Sequence, residues 1–305
     1  QVSHLHSVDD SPALREAYNA NLPRVTEYYA DLGQNAGLFA KYKALRASRD
    51  FPALSAARRK VIENELRDFR LGGAELSEDK KARFKAIQEE LAALGAKFEE
   101  NLLDATNAWS KLIEAPADLA GVPEDVLAMF REAAEADGKS GWKLSLRAPS
   151  YLPIMQFCAN RALRAEMYRA YSTRASEFPI DGMKEPNALD NTGLIARIVG
   201  LRREAARLLG YENYAEVSME PKMARAPAEV LDFLETLGRR ARPYAEKDMA
   251  ELRDFAAREL DLGDMQAWDI AYASEKLREA RYAFSEQEVK QYFPEPMVLA
   301  GLFKL

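Results

Sequence analysis

Residues 84–109 read FKAIQEELAALGAKFEENLLDATNAW, and this stretch decides the fold class. Its apolar side chains, continued at Leu112, recur at spacings of three or four residues, which places them on one stripe of an α-helix. The stripe consists of Phe84, Ile87, Leu91, Leu94, Phe98, Leu102, Ala105, Trp109 and Leu112. The pattern predicts a helix over residues 78–114, which would be about 55 Å long.

Two kinds of structure would bury such a stripe, a coiled-coil dimer and a bundle formed within one chain. Gly95 and Asn101 interrupt the segment, and large aromatic side chains occupy the stripe. Coiled-coil seams prefer aliphatic residues at these positions. We therefore favour a long helix buried along one side of a bundle.

The remainder of the chain also shows mainly helical periodicity. Ser11 followed by Pro12 is typical of a helix start, and Ser285 with Glu288 fits a capping box. Only residues 142–147 alternate like a strand. Helices are predicted over residues 12–30, 38–47, 54–69, 123–138, 160–176, 188–209, 227–260 and 268–282. We predict a mainly α fold with at most a short β element.

Composition excludes several classes of protein. The 305 residues carry a net charge of −6 and a pI near 5.3, which argues against a nucleic-acid binder. No run of 18 apolar residues or signal peptide is found, so no membrane interaction is expected. The single cysteine, Cys158, excludes an internal disulfide and fits a reducing compartment. A cytoplasmic protein is predicted.

The two ends of the sequence suggest a longer parent chain. The first residue is Gln1 rather than Met, and residues 297–305 form an apolar run where a polar end is usual. We interpret both ends as cuts. This interpretation predicts an apolar surface that a further part of the protein would cover, and weak self-association when that part is absent.

Few residues are candidates for catalysis. His4 and His6 are the only histidines, and we expect both to be solvent-exposed rather than metal ligands. Cys158 is expected to be a small core residue rather than a nucleophile. Asp232 and Glu235 are expected to be solvated rather than to form an acid–base pair. The sequence also lacks nucleotide-binding glycine motifs and the Gly-x-Ser-x-Gly motif.

Other polar side chains allow either peptide binding or packing. Tyr168, Tyr171 and Arg174, with Arg169 beside them, would bind a peptide through hydroxyl groups and charge, or would anchor helix packing. We favour packing. Trp268 and Tyr272 are predicted to pack together, and Asp269 or Glu275 to pair with nearby bases. Lys222 and Arg225 are weaker candidates for peptide contact.

Four segments in order resemble the M3 family of zinc oligopeptidases. They are PSYLP at residues 149–153, MYRAYSTRAS at 167–176, PKMA at 221–224 and WDIAYASEK at 268–276. The resemblance implies two mainly helical halves around a channel that admits short peptides. It also implies a zinc site in which a His-Glu-x-x-His helix and a downstream glutamate supply the catalytic residues.

No position of this sequence matches those zinc-site residues. The resemblance therefore implies that residues 1–305 form the helical, non-catalytic part of the peptidase, with a hinge at 177–187 and the catalytic half absent. We assign no catalytic, cofactor-binding or metal-binding residue. Zinc is expected in the intact family protein and not on this chain. Short peptides and the missing half are the expected partners.

Two other interpretations remain open. In the first interpretation, the chain is a natural helical binding protein for peptides or proteins, and it has no catalytic half. In the second it is a helical scaffold unrelated to peptidases, which four segments in register disfavour.

Overall fold

The computed structural model describes residues 2–8, 10–178, 188–283 and 286–304. Of these residues 74% are helical, and they contain one antiparallel sheet of two short strands. The mainly α prediction is confirmed. None of the helices in the described ranges is long and apolar enough to cross a membrane.

Most of the predicted helices begin and end within a few residues of the predicted positions. In chain order they are α1 Val2–Val8, α2 Pro12–Gly33, α3 Ala36–Ala47, α4 Ala56–Leu71, α5 Glu78–Ala108, α6 Glu124–Ala136, α7 Ala148–Phe157, α8 Arg161–Ser172, α9 Thr192–Leu208, α10 Tyr214–Met219, α11 Pro227–Glu259, α12 Ile270–Tyr282, α13 Glu286–Lys290 and α14 Glu295–Leu302. The strands are β1 Ser110–Ile113 and β2 Trp142–Ser145.

The chain divides into two compact units, and each is built from separate stretches of sequence. The first unit comprises residues 1–103 and 190–238, and the second comprises residues 104–189 and 239–305. Two of the three divisions fall inside long helices, after Leu103 in α5 and after Gly238 in α11. Most of the predicted hinge, residues 179–187, lies outside the described residues.

The first unit buries the front half of the α5 stripe. Phe84 and Ile87 pack against Leu201 and Ala205 of α9 within the same chain, as the bundle interpretation predicts. Arg83 and Arg197 form ion pairs with carboxylates across these two helices on the solvent side. The apolar face therefore holds α5 against α9, and the charged faces flank the contact.

Glycines end two helices of the first unit at a close backbone contact. A Cβ atom added to Gly72 would lie 3.0 Å from the Cα atom of Gly33, which is tighter than ordinary packing. Gly73 adopts a φ of 89°, a conformation that side chains with a Cβ atom disfavour. These positions explain why α2 and α4 stop where the sequence predicted breaks.

The second unit is organised around the two-stranded sheet and helices α6 to α8. Ser110 pairs with Ser145 and Ile113 with Trp142 in the antiparallel register. The buried core behind this sheet is apolar and includes Trp109, Leu144, Leu146, Phe130, Ile154, Cys158, Leu163 and Met167. This core is the platform for the site described below.

The structure corrects the predicted long helix. It ends at Ala108, and residues 110–113 form β1 instead of two further turns. The apolar spacing of Trp109 and Leu112 continues the helical pattern. However, Trp109 directly precedes β1 and Leu112 lies in it, and β1 pairs with β2. Hydrogen bonds to a segment about 30 residues away override the local periodicity here.

A second difference is helix α7, which the sequence analysis did not predict. It contains two prolines, Pro149 and Pro153, a residue type that is disfavoured in the interior of a helix. Pro149 lies in the first turn, where its missing N–H group leaves no hydrogen bond unmade. The Ser150 Oγ atom accepts a hydrogen bond from the Ser145 N–H at 2.9 Å, which ties α7 to β2.

Candidate functional site

Two of the motif-bearing segments, residues 167–176 and 268–276, meet in the second unit. The first lies largely on α8, and the second covers the end of a short 3₁₀ helix, Ala267–Asp269, and the start of α12. The Tyr168 and Trp268 rings lie 6.1 Å apart between their centroids. Residues about 100 positions apart in sequence thus form one cluster.

A buried carboxylate, Asp269, is the centre of this cluster. It accepts hydrogen bonds from Arg164 Nη2 at 2.7 Å and from Arg161 Nη2 at 2.9 Å. The Gln266 N–H donates a further bond at 3.0 Å, which also caps the 3₁₀ helix. Asp269 is fully buried and Arg164 is 1% exposed. The pairing of Asp269 with nearby bases is confirmed.

The charges of this cluster are fixed rather than poised for proton transfer. Burial raises the pKa of Asp269, but hydrogen bonds from Arg161, Gln266 and Arg164 outweigh it and hold the pKa below its ordinary value. Hydrogen bonds to Asp269 and Asp264 raise the pKa of Arg161. A carboxylate that stays ionised between two arginines is suited to a structural role and not to general acid–base chemistry.

Arg164 connects this carboxylate to three other parts of the second unit. Its Nη1 atom donates to the Cys158 carbonyl at 2.7 Å, and its Nε atom donates to the Trp268 carbonyl at 3.3 Å. The guanidinium also lies over the Tyr272 ring, 4.2 Å from its centroid. Each of the three guanidinium nitrogens of Arg164 therefore donates a hydrogen bond within the protein, and the guanidinium plane contacts the Tyr272 ring.

The predicted packing of Trp268 against Tyr272 is wrong in detail. Trp268 contacts Tyr168, Tyr272 contacts Arg164 and Lys276, and no ring contact joins Trp268 to Tyr272 in the described part of the chain. Trp268 lies in the 3₁₀ turn before α12. The i to i+4 geometry of an α-helix therefore does not apply to this pair. Glu275 is buried and pairs with Arg278 one turn later, as predicted.

An aromatic stack links α7 to the end of α8. The Tyr151 and Tyr171 rings are 4.0 Å apart between centroids and nearly parallel, and the Arg174 guanidinium lies 3.6 Å from the Tyr171 centroid. Arg174 also donates to Thr106 Oγ1 at 2.9 Å. Burial and the nearby phenols of Tyr168 and Tyr171 raise the pKa of Tyr151 to about 12. These contacts match the packing interpretation, and a role in peptide contact stays a prediction.

The histidines differ from the expectation in one respect. His4 is exposed, but His6 is only 3% exposed, so the prediction for His6 is wrong. Its ring stacks on Tyr18 at 4.4 Å, and its Nε2 atom lies 3.4 Å from Glu100 Oε1. The reason is that residues 2–8 form helix α1, which packs on α2 and buries one face.

The residues of this chain do not fit a zinc site of the family type. No group of three His, Cys, Asp or Glu side chains within the described ranges is arranged to hold a metal ion. His6 is engaged with Tyr18 and Glu100, and the sequence has one further histidine, His4. No catalytic step through a metal is derived for this chain.

The other sequence candidates occupy ordinary positions. Cys158 is fully buried, its Sγ atom lies 3.4 Å from the Asp118 carbonyl, and burial raises the pKa of its thiol. Asp232 and Glu235 are exposed on α11, as predicted. Lys222 donates to Ser218 Oγ, and Arg225 is exposed. None of these residues forms a reactive arrangement.

Arg161 and Arg164 were missed by the sequence analysis. A signal was present, because Arg164 lies on the helical face of Leu163 and Met167, which are buried. A cation in an apolar stripe predicts a buried acidic partner. The identity of that partner, 105 residues further along the chain, is visible only in the structure.

The comparisons with known proteins define the class. The sequence model described as Peptidase family M3 matches residues 154–305, and the model for the Neurolysin/Thimet oligopeptidase N-terminal domain matches residues 1–81. The first match covers the α8–α12 cluster, and the second covers α1 to α4 of the first unit. The chain belongs to peptidase family M3.

Particular relatives narrow the position within the family. The chain is 47% identical over 306 residues to Oligopeptidase A of Salmonella typhimurium and of Escherichia coli. It is 30% identical over 300 residues to the Dipeptidyl carboxypeptidase of Salmonella typhimurium. The alignment with Oligopeptidase A covers 100% of this chain and 44% of the relative. The chain thus spans less than half of the length of these relatives.

Proposed function

We propose that this chain is part of a zinc-dependent oligopeptidase in which it forms part of a peptide channel and contributes no catalytic residue. The observation that carries the proposal is the 47% identity along its whole length to Oligopeptidase A, of which it spans 44%. Short peptides are the proposed substrates of the intact protein, since that relative is named an oligopeptidase. The zinc ligands would lie in the part of the protein that this chain does not span.

The residue inventory supports the non-catalytic role. Only two histidines occur, one of them exposed and the other buried against Glu100. The clustered charges of the second unit are paired with one another: Asp269 and Arg164 are buried, and Arg161 is partly exposed. We propose that this cluster stiffens the channel wall instead of taking part in bond cleavage. A cytoplasmic location is part of the same proposal.

The test compares the chain alone with a reconstituted protein. The purified chain is incubated with a fluorogenic oligopeptide, both alone and with the part of Escherichia coli Oligopeptidase A that it does not span. We expect no hydrolysis by the chain alone and chelator-sensitive hydrolysis by the mixture. The catalytic part alone is the control for residual activity.

Two results would contradict this proposal. Chelator-sensitive turnover by the chain alone at about 1 s⁻¹ or more, a rate typical of enzymes, would show that it carries a complete active site. Peptide binding by the chain without any gain of activity in the mixture would favour the non-enzymatic binding module.

A further inference from the structure

A cavity of about 460 Å³ lies in the second unit beside the two-stranded sheet. It is bounded by the end of α5, by β1 and β2, by α6 and by the start of α7. This volume lies within the range of small-molecule binding pockets, about 300–1,000 Å³. The Asp269 cluster and the aromatic stack do not line it, although Thr106 contacts both the stack and the cavity.

The floor of the cavity is aromatic. Trp109 and Phe130 are almost fully buried in the core, and each also contributes to the cavity lining. Met129 and Ala133 of α6 add apolar surface beside them. Such a floor accepts the apolar body of a ligand because covering it removes apolar area from water.

The rim of the cavity is positively charged. Arg147 and Lys143 both line it, and none of its described lining residues is Asp or Glu. Lys143 is paired with Asp137 at 2.5 Å. Arg147 binds the neutral Asn107 side chain, through Nε at 3.1 Å and Nη2 at 2.9 Å. Within the described part of the chain, no carboxylate pairs with Arg147.

We propose that this cavity binds the C-terminal carboxylate of a short peptide whose last side chain is apolar. The Arg147 guanidinium would bind the carboxylate, and the Trp109–Phe130 floor would cover the terminal side chain. A guanidinium without an acidic partner matches a carboxylate in charge and in its two-pronged geometry. The choice of a peptide over other apolar carboxylates rests on the proposed function, whereas binding of the carboxylate itself does not.

The test uses N-acetylphenylalanine and its amide as probes. They share an acyl group and a benzyl side chain and differ in the negative charge, so their comparison isolates the carboxylate. Ligand-observed NMR titration of the full chain measures both dissociation constants. We expect saturable binding of the acid, and binding of the amide at least about tenfold weaker.

Variants connect this difference to the cavity. Arg147→Gln is expected to abolish the preference for the acid, and Arg147→Lys to retain part of it. Ala133→Trp, which fills the cavity without changing a charge, is expected to abolish binding of both probes. The matched control is Arg131→Gln, which removes the same charge from α6 outside this cavity and is expected to leave both constants unchanged.

Three results would overturn the inference: no saturable binding of the acid, equal binding of acid and amide, or equal losses in Arg147→Gln and Arg131→Gln. Circular dichroism of each variant establishes that its helices are intact. If acid binding persists while the reconstituted protein hydrolyses no peptide, the proposed function is wrong and the carboxylate site remains. If hydrolysis is restored and acid binding is absent, the proposed function is supported and the carboxylate site is wrong.

Discussion

Asp269 and Arg164 form an ion pair inside the second unit, with Oδ1 and Nη2 2.7 Å apart and both side chains almost completely removed from solvent. Asp269 belongs to the motif-bearing segment 268–276, and Arg164 lies three residues before the segment 167–176 on the same helix, α8. Arg161 supplies a second guanidinium to the same carboxylate. The contact joins α8 to the residue that precedes α12, so these two segments, distant in sequence, are held together in the fold.

Removing the charge of Asp269 is expected to destabilise the second unit strongly. Asp269→Asn leaves the buried Arg164 without its counter-charge, and such a loss costs about 3–5 kcal/mol. Urea unfolding followed by tryptophan fluorescence reports on this unit, because Trp109, Trp142 and Trp268 all lie in it. Asp264→Asn is the matched control, since Asp264 is exposed and pairs with Arg161 at the surface. A control loss as large as that of Asp269→Asn would contradict the assignment.

The same carboxylate makes stability depend on acid pH. The pKa of Asp269 is lower in the folded protein than its ordinary value. Its contribution is therefore present above about pH 4, the unfolded pKa, and is lost as the pH falls through the folded pKa. The difference in unfolding free energy between wild type and Asp269→Asn should be constant above pH 5 and should shrink below pH 4. A difference that grows on acidification would refute the sign of this shift.

Tyr151 is expected to produce the opposite dependence at alkaline pH. Its pKa is raised to about 12 in the folded protein. Because the unfolded phenol ionises near pH 10, its contribution is intact below that pH and is lost as the pH rises towards 12. Tyr151→Phe should lose less stability than wild type between pH 9 and pH 11.5. Tyr292→Phe, at an exposed position, serves as the control and should follow wild type.

Cys158 should react slowly with thiol reagents in the native protein. The side chain is fully buried, and burial raises the pKa of its thiol, so both access and the thiolate fraction are low. With a chromogenic disulfide reagent we expect a labelling rate lower by at least about a hundredfold than in urea-unfolded protein. Rapid labelling under native conditions would contradict the core position.

The exposed apolar face of α14 should cause concentration-dependent association. Met297, Val298, Leu299, Leu302 and Phe303 are between 45% and 86% exposed, and contiguous surfaces of this kind favour contact with another surface. Sedimentation velocity over a concentration series should show species larger than the monomer.

The double variant Leu302→Glu with Phe303→Glu should reduce this association, because two charges oppose desolvation of the face. Val61→Glu is the control for adding a charge elsewhere, since Val61 is an exposed large apolar residue on α4. If wild type remains monomeric at all concentrations, the α14 face has no role in self-association.

The sequence by itself determined the helical character of this protein. Periodic apolar residues and capping side chains act within a few positions of each other, so α2, α3, α4 and α11 were predicted nearly to their ends. The order of four motif segments also indicated the family before any contact was known. Local chemistry and motif order were sufficient for both conclusions.

The tertiary structure decided what depends on partners far apart in sequence. Helix α5 stops at Ala108 because residues 110–113 pair with residues 142–145, and His6 is buried because α1 packs on α2. Arg164 pairs with Asp269, 105 positions away, and Arg147 binds Asn107 beside the cavity that Trp109 and Phe130 line. Helix periodicity constrains neighbours of three or four residues. Burial of charge and the shape of a cavity are set by contacts between segments, which only the folded chain brings together.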